Sequence, residues 1–156
     1  MPEERTKRRA ARDKAQGKAA STQAGEFVRE EIEHVREGKH GARSSKQAIA
    51  IGLSKARRAG VDLPPPKAGA SSKRTRESAA RDRERGHSAK SKKASPRRSR
   101  ATREALQREP RVAATPVALS RQAHASARSR GPAARKAAAR KAAQTRARRG
   151  SAGTTR

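Results

Sequence analysis

The sequence contains no Cys, Trp or Tyr, and Phe27 is its single aromatic residue besides the His residues. Without Cys there is no disulfide framework and no thiolate metal site, which fits a reducing compartment. Hydrophobic residues make up 31% of the 156 residues, but 34 residues are Ala and only 14 are Met, Phe, Val, Ile or Leu. Such a chain has too little large apolar surface to offset the ordering entropy of its whole length. We therefore expect most of it to be disordered when free.

Long apolar runs are also missing from the sequence. No run approaches the roughly 18 apolar residues of a membrane span, and Glu3 and Glu4 stand where a secretory signal would carry apolar residues. We expect no membrane contact, no export and a cytoplasmic location.

Negative charge is scarce, and positive charge is abundant. The chain has 42 Lys and Arg residues against 14 Asp and Glu residues, a formal net charge of +28. Arg is the commoner cation, with 29 residues against 13 Lys, and its guanidinium group binds phosphate oxygens in pairs. Such a polycation binds polyanions by releasing their counterions, and nucleic acid is the abundant cellular polyanion. Because single-strand and RNA modules stack bases on aromatic rings, the lack of aromatics favours duplex DNA.

Charge and large apolar residues lie in different parts of the chain. Residues 1–24 carry a net charge of +4, residues 25–66 carry +2 and residues 67–156 carry +22. Nine of the fourteen large apolar residues lie in 25–66. This division predicts a basic N-terminal arm at 1–24, a two-helix module at 25–66 and a disordered basic tail at 67–156.

The first helix of the module is predicted at 26–37. Val28, Ile32 and Val35 follow the i, i+4, i+7 spacing of one helical face. Gly38 then ends the pattern.

The second helix is predicted at 45–59. Ser44 and Gln47 have the spacing of a capping box, and Gly60 followed by the proline run 64–66 ends the helix. Small residues in this helix form a smooth face that allows close approach of another backbone. We predict that this face pairs with the first helix or docks a second copy or another protein, and its residues are Ala48, Ile49, Gly52, Leu53 and Ala56.

The predicted fold class is therefore a mostly disordered chain around a small all-α helical hairpin with low-complexity basic arms. Residues 67–101 are rich in Ser, Lys and Arg, show no periodicity and are predicted to be coil. Sequence propensity allows transient helices at 2–16, 102–109 and 132–149. The last of these contains a repeated pentad of Ala with Arg and Lys, whose mutual repulsion should keep it open until phosphates neutralise it.

Catalytic chemistry has little support in this sequence. The four His residues, at 34, 40, 87 and 124, lack metal-ligand spacing to one another. Glu residues cluster in the first helix, but no pocket is apparent that would tune a carboxyl for acid–base work. We expect no enzyme activity, no cofactor and no metal site.

Two regions are candidates for phosphate contacts. The loop before the second helix places cations near a helix N-terminus, which favours anions, and the tail carries most of the positive charge. A Ser-Pro-Arg-Arg tetrapeptide at 95–98 has the size of a basic turn that enters a minor groove. The predicted nucleic-acid-binding residues are Lys39, His40, Arg43, Lys46, Lys90, Lys92, Lys93, Arg97, Arg98, Arg100, Arg135, Lys136, Arg140, Lys141, Arg146, Arg148 and Arg149.

The module resembles a family of small, basic, uncharacterised bacterial proteins. The resemblance lies in Lys39-His40-Gly41 and in the run Ser45-Lys46-Gln47-Ala48-Ile49-Ala50-Ile51. Members of that family pair such a helix with a low-complexity basic extension and are described as DNA-binding, so the resemblance implies the same here. The tail is similar in composition to the tails of linker histones and bacterial histone-like proteins, although it is richer in Arg. That likeness implies compaction or bridging of DNA.

Together these observations predict a nucleoid-associated, histone-like protein that coats or compacts duplex DNA through non-specific phosphate contacts. Two alternatives stay open. One is a basic protein of structured RNA or the ribosome, where basic tails also thread between phosphates. The other is a protein-interaction adaptor that uses the helical hairpin and is localised to nucleic acid by its tail.

Overall fold

The computed structural model describes residues 2–88 and 95–152, and this part of the chain is almost entirely helical. Its elements are α1 (Glu4–Ala15), α2 (Ala20–Glu37), α3 (Ser45–Arg58), α4 (Lys73–His87), α5 (Pro96–Gln107), a 3-10 turn at Val112–Ala114, α6 (Pro116–Ser129) and α7 (Gly131–Ala152). No strand occurs within these two ranges.

The expectation of a mostly disordered, low-complexity chain around one helical hairpin is wrong. The described residues form seven helices, and the segment 67–101, expected to be coil, contains α4 and the start of α5. The segments expected to be only transiently helical contain α1, the second half of α5 and most of α7. Large apolar side chains are few, but α1 to α4 and the 3-10 turn approach closely enough to bury small ones, whereas α5 and α6 bury no residue. The buried alanines are Ala10, Ala24, Ala42, Ala48, Ala56, Ala79, Ala113 and Ala114.

Helix α2 is the central element of the first compact unit, which spans Met1–Ala118. It begins at Ala20, before the predicted start at 26, and ends at Glu37; Gly38 follows with a φ of +77°, which glycine readily adopts. Helices α1 and α3 both pack against α2, and α4 packs against α3. Phe27 and Val35 are fully buried on α2.

Helix α3 begins at the cap that the sequence indicates. Ser44 Oγ accepts a hydrogen bond from the backbone N–H of Gln47 at 3.2 Å. At its other end Arg57 is buried, and its guanidinium donates to the carbonyl oxygens of Leu63 and Pro64 at 3.1 and 3.2 Å. These bonds hold the start of the proline run against α3. Burial lowers the pKa of Arg57 from its ordinary value.

Two apolar clusters stabilise the first unit. One joins α1, α2 and α3 around Phe27, and the other brings the 3-10 turn against α2 and α3. The members of the second cluster are Val35, Ala42, Ala48, Ala113 and Ala114, with Ile32 packed against them. The turn is also held by polar bonds, because Ser45 Oγ donates to the Ala113 carbonyl at 2.6 Å and Arg36 Nε donates to the Ala114 carbonyl at 3.0 Å.

The second unit, Leu119–Arg156, contains the remainder of α6 and all of α7. The two helices are separated by Arg130, and Gly131 at the start of α7 has a left-handed φ of +76°. The side chains of residues 132–147 are all exposed. Helix α7 therefore buries no apolar face within the described residues.

None of the helices in the described ranges combines the length and the apolar character needed to cross a membrane.

Candidate nucleic-acid interface

Helix α7 is a long, exposed helix whose ionisable side chains are all cations. It spans 22 residues, and the second unit that contains it has eleven Arg or Lys residues and no Asp or Glu. The last acidic residue of the chain is Glu109. No carboxylate of this unit is therefore present to pair with its cations.

The cations of α7 are distributed around the helix rather than along one stripe. The pairs Arg135–Lys136 and Arg140–Lys141 are separated by five residues, which at 100° per residue rotates the second pair by about 140° from the first. Arg146 lies close to the direction of Arg135 by the same measure. The helix can thus present positive charge to surfaces on more than one side.

The predicted tail residues occupy several different positions. Arg97, Arg98 and Arg100 lie on α5 with exposed side chains, so the tetrapeptide at 95–98 forms the start of a helix with Pro96 in its first turn rather than an isolated basic turn. Pro fits this position because its missing N–H would have no partner there. Arg135, Lys136, Arg140, Lys141 and Arg146 are exposed on α7. Lys90, Lys92 and Lys93 lie outside the described residues, and Arg148 and Arg149 belong to α7 without described side chains.

The first unit differs because many of its carboxylates are bound to its own cations. Arg5 contacts Glu3 at 2.6 Å, Lys7 contacts Glu4 at 2.7 Å and Lys39 contacts Glu37 at 2.9 Å. Hydrogen bonding to Lys7 lowers the pKa of Glu4, and the bond to Glu37 raises the pKa of Lys39. The positive charge of this unit is thus partly neutralised internally.

The loop 38–43 does not present its basic residues as one open cluster. Lys39 is paired with Glu37, and His40 turns inward, with Nε2 3.2 Å from Glu31 Oε1. Arg43 remains exposed 3.7 Å from Glu109. Lys46 is exposed at the start of α3.

The segment 106–115 covers much of this loop. The backbone N–H of Gly41 donates to the Leu106 carbonyl at 2.8 Å, and that of Ala42 donates to the Pro110 carbonyl at 3.0 Å. A Cβ at Gly41 would lie 1.7 Å from the Glu109 carbonyl oxygen. Because segment 106–115 passes this close to the loop, only glycine fits at position 41. The segment also occupies space in which the sequence suggested a bound phosphate. Phosphate binding by this loop stays a prediction.

The smooth face of α3 is packed within the same chain. Ala48, Gly52 and Ala56 are buried, while Ile49 and Leu53 are half-buried. A Cβ at Gly52 would lie 2.7 Å from Val28 Cα, so this glycine permits the close backbone approach that small residues favour. Docking of a second protein at this face stays a prediction, and α2 already lies against it.

Sequence reasoning missed a buried group of charged and imidazole side chains between α2 and the loop. Glu31 is fully buried and His34 is 9% exposed, and the ligand-type atoms of Glu31, His34 and His40 lie within 4.8 Å of one another. The spacing along the chain gave one usable signal, because Glu31 and His34 are i and i+3 and share a helix face. The contribution of His40 depends on the fold of the loop. We call these three residues the Glu31 cluster.

Two further charged groups border the Glu31 cluster. Lys55 Nζ lies 2.5 Å from Glu31 Oε2 and 3.6 Å from Glu30 Oε1. Glu3 Oε1 lies 3.0 Å from His34 Nε2. The hydrogen bond from His34 is the largest influence on the Glu3 carboxyl and holds its pKa at about 2.

Comparison with known proteins gives one partial match. Residues 11–67 match a family described as "Family of unknown function (DUF6496)". This segment covers α1 from its eighth residue, all of α2 and α3, and the proline run. No curated protein matches the chain. No solved structure matches it either. The chain is therefore similar over residues 11–67 to a family whose function is unknown.

Proposed function

We propose that this protein binds duplex DNA without sequence specificity, and that α7 is its principal contact. The observation that carries the proposal is the 22-residue helix, exposed over residues 132–147, in a unit with eleven cations and no Asp or Glu. A helix that is polar on all sides has no apolar face to bury against the protein. Phosphates supply the negative charge that this unit lacks.

The dimensions of α7 suit a groove of the duplex. Its 22 residues span about 33 Å. An α-helix with side chains is about 10–12 Å across, and the major groove is about 12 Å wide. A helix in a groove has phosphates on both flanks, so cations on several sides of α7 can all be neutralised.

The side-chain chemistry of α7 favours backbone contacts over base readout. Its residues are mainly Ala, Arg and Lys, and the only amide or hydroxyl side chains between 131 and 147 are Gln144 and Thr145. Phosphate contacts fix position but carry no sequence information. Phe, Tyr and Trp side chains for base stacking are absent from this unit, and its one His, His124, lies on α6. In a bacterial cell such binding would hold the protein on the nucleoid.

The proposal is tested by two charge-matched variants of the full chain. The first replaces five cations of α7 with Gln, namely Arg135, Lys136, Arg140, Lys141 and Arg146. The second replaces five exposed Arg residues of the first unit with Gln, namely Arg8, Arg12, Arg74, Arg81 and Arg85. Gln keeps good helix propensity, so α7 should stay helical. Affinity for a fluorescent duplex is measured by anisotropy at one fixed salt concentration.

We expect the α7 variant to lose about 100-fold or more in affinity, because it removes up to five phosphate contacts. The matched variant should lose much less. Equal losses would mean that net charge alone determines binding and would contradict the role of α7. Two unrelated duplex sequences should bind equally well, and tighter binding to structured RNA than to the duplex would favour the RNA alternative.

A further inference from the structure

Glu31 of the Glu31 cluster and the neighbouring Glu30 together carry more negative charge than Lys55, the cation beside them, neutralises. Glu30 and Glu31 have side chains 1% and 0% exposed, and both approach the single ammonium group of Lys55. Glu30 Oε2 also accepts the backbone N–H of Glu3 at 3.0 Å. Two buried carboxylates therefore share one cation in a chain whose net charge is +28. Burying uncompensated charge is costly.

The hydrogen bonding of Glu31 is also incomplete. Neither carboxylate oxygen has a partner in hydrogen-bonding geometry, although Lys55 Nζ and His40 Nε2 lie close in charge contact. Buried polar atoms are normally satisfied, so this carboxylate is incompletely satisfied by the protein alone.

The tautomer of His40 shows that its neutral ring does not supply the missing hydrogen bond to Glu31. Its Nδ1 lies 3.1 Å from the Gly41 carbonyl oxygen, which can only accept, so Nδ1 carries the hydrogen. In the neutral ring, Nε2 then directs a lone pair toward Glu31 Oε1 at 3.2 Å. Two acceptors face each other there, and a cation between them would resolve the conflict.

The second imidazole also has one ring nitrogen in a hydrogen bond. His34 Nε2 donates to Glu3 Oε1 at 3.0 Å, which leaves Nδ1 with the lone pair. Metal-binding His residues characteristically donate their other ring N–H to a carboxylate or a backbone carbonyl. Glu3 provides the carboxylate for His34, and Gly41 provides the carbonyl for His40.

We propose that Glu31, His34 and His40 form a binding site for a divalent metal ion of the zinc class. Two imidazoles and a carboxylate are ligands that Zn²⁺ accepts. Bonds of about 2.0–2.2 Å at tetrahedral angles separate neighbouring ligand atoms by about 3.3–3.6 Å, and His40 Nε2 and Glu31 Oε1 lie 3.2 Å apart. A bound ion would neutralise the buried carboxylates and tie the loop 38–43 to α2.

The test uses the full chain after removal of metal by a chelator. Zn²⁺ is titrated by calorimetry, and Co²⁺ is added separately to record the visible absorption of a tetrahedral site. Glu31→Gln and His40→Gln remove one ligand each, and His124→Gln removes an exposed imidazole of α6. Circular dichroism reports whether each variant keeps its helices. If Glu31→Gln does not fold, His40→Gln, on the loop, gives the decisive comparison.

We expect one Zn²⁺ per chain, a higher melting temperature with Zn²⁺, and no change in either with His124→Gln. Loss of a ligand should weaken binding by more than about 100-fold, because loss of an outer partner alone typically costs 10–100-fold. The proposal is overturned if the metal-free wild-type chain shows no saturable Zn²⁺ binding, as expected if a proton alone joins Glu31 and His40. Unchanged Zn²⁺ binding by a folded His40→Gln variant would overturn it as well.

Discussion

Phe27 is the largest apolar side chain in the first unit and the only Phe in the chain. It is 1% exposed and packs with small neighbours, among them Ala24 and Ala56. Because those neighbours are small, few side chains nearby can move to fill a cavity at this position.

Phe27→Ala should therefore lower the free energy of unfolding of the first unit by about 3–5 kcal/mol. Urea denaturation followed by circular dichroism at 222 nm measures the change. Val117→Ala, at a side chain that is 60% exposed, is the control and should stay within about 0.5 kcal/mol of the wild type. Similar effects at the two positions would mean that Phe27 does not organise a core.

Two helical glycines provide a second comparison of single residues. A Cβ at Gly25 in α2 would meet nothing within 4 Å, whereas a Cβ at Gly52 in α3 would lie 2.7 Å from Val28 Cα. Gly25→Ala should stabilise the protein by about 0.5–1 kcal/mol through helix propensity. Gly52→Ala should destabilise it, because α2 and α3 must separate. Thermal melts of both variants provide the comparison, and equal shifts of the same sign would argue against close α2–α3 packing.

Whole helices show which features the sequence could and could not predict. Apolar spacing and capping residues located the middle of α2 and the start of α3, because those signals are local. Helix α4 was missed because its sequence is polar, and only its packing on α3 buries Ala79. The position of the 3-10 turn depends on contacts between residues more than 60 positions apart, such as Ser45 with Ala113.

The same distinction applies to the candidate sites. The excess of cations toward the C-terminus is a property of composition and could be counted directly. The inward orientation of His40 could not be predicted from the sequence, because it results from how the loop folds between α2 and segment 106–115. The i, i+3 spacing of Glu31 and His34 can be found in the sequence. The burial of Glu31 cannot, because it is a consequence of tertiary packing.

Helix α4 provides a prediction with a pH dependence. Arg83 donates to Asp62 at 2.7 Å, and this hydrogen bond lowers the pKa of Asp62, with His87 and Lys14 adding a smaller effect of the same sign. Because the folded pKa lies below the unfolded one, the stabilisation is present above about pH 4 and is lost as the pH falls through the folded pKa. Amide hydrogen exchange in α4 should therefore speed up at low pH beyond its intrinsic pH dependence.

Asp62→Asn removes the titrating group while keeping the shape of the side chain. The variant should show weaker protection of α4 at neutral pH and a flatter dependence of that protection on pH. The effect should be small, because Asp62 and Arg83 are both well exposed. An unchanged pH profile would show that this ion pair does not contribute to α4 docking.

The molecule as a whole divides its charge between two compact units. The first unit contains all fourteen acidic residues, and the second contains none. Many carboxylates of the first unit bind cations of the same unit or lie buried. Part of the positive charge of this unit is therefore neutralised within the unit. For this reason we propose that nucleic-acid binding lies chiefly in α7, and that the buried carboxylate of Glu31 binds a metal ion.

The salt dependence of duplex binding tests this assignment most directly. For the full chain, about ten phosphate contacts give a slope near −9 in a plot of log affinity against log salt concentration. Replacing the five described cations of α7 with Gln should make that slope shallower by about 4.5, and the matched first-unit variant should change it by much less. An unchanged slope in the α7 variant, or a slope near zero for the wild-type chain, would contradict the account.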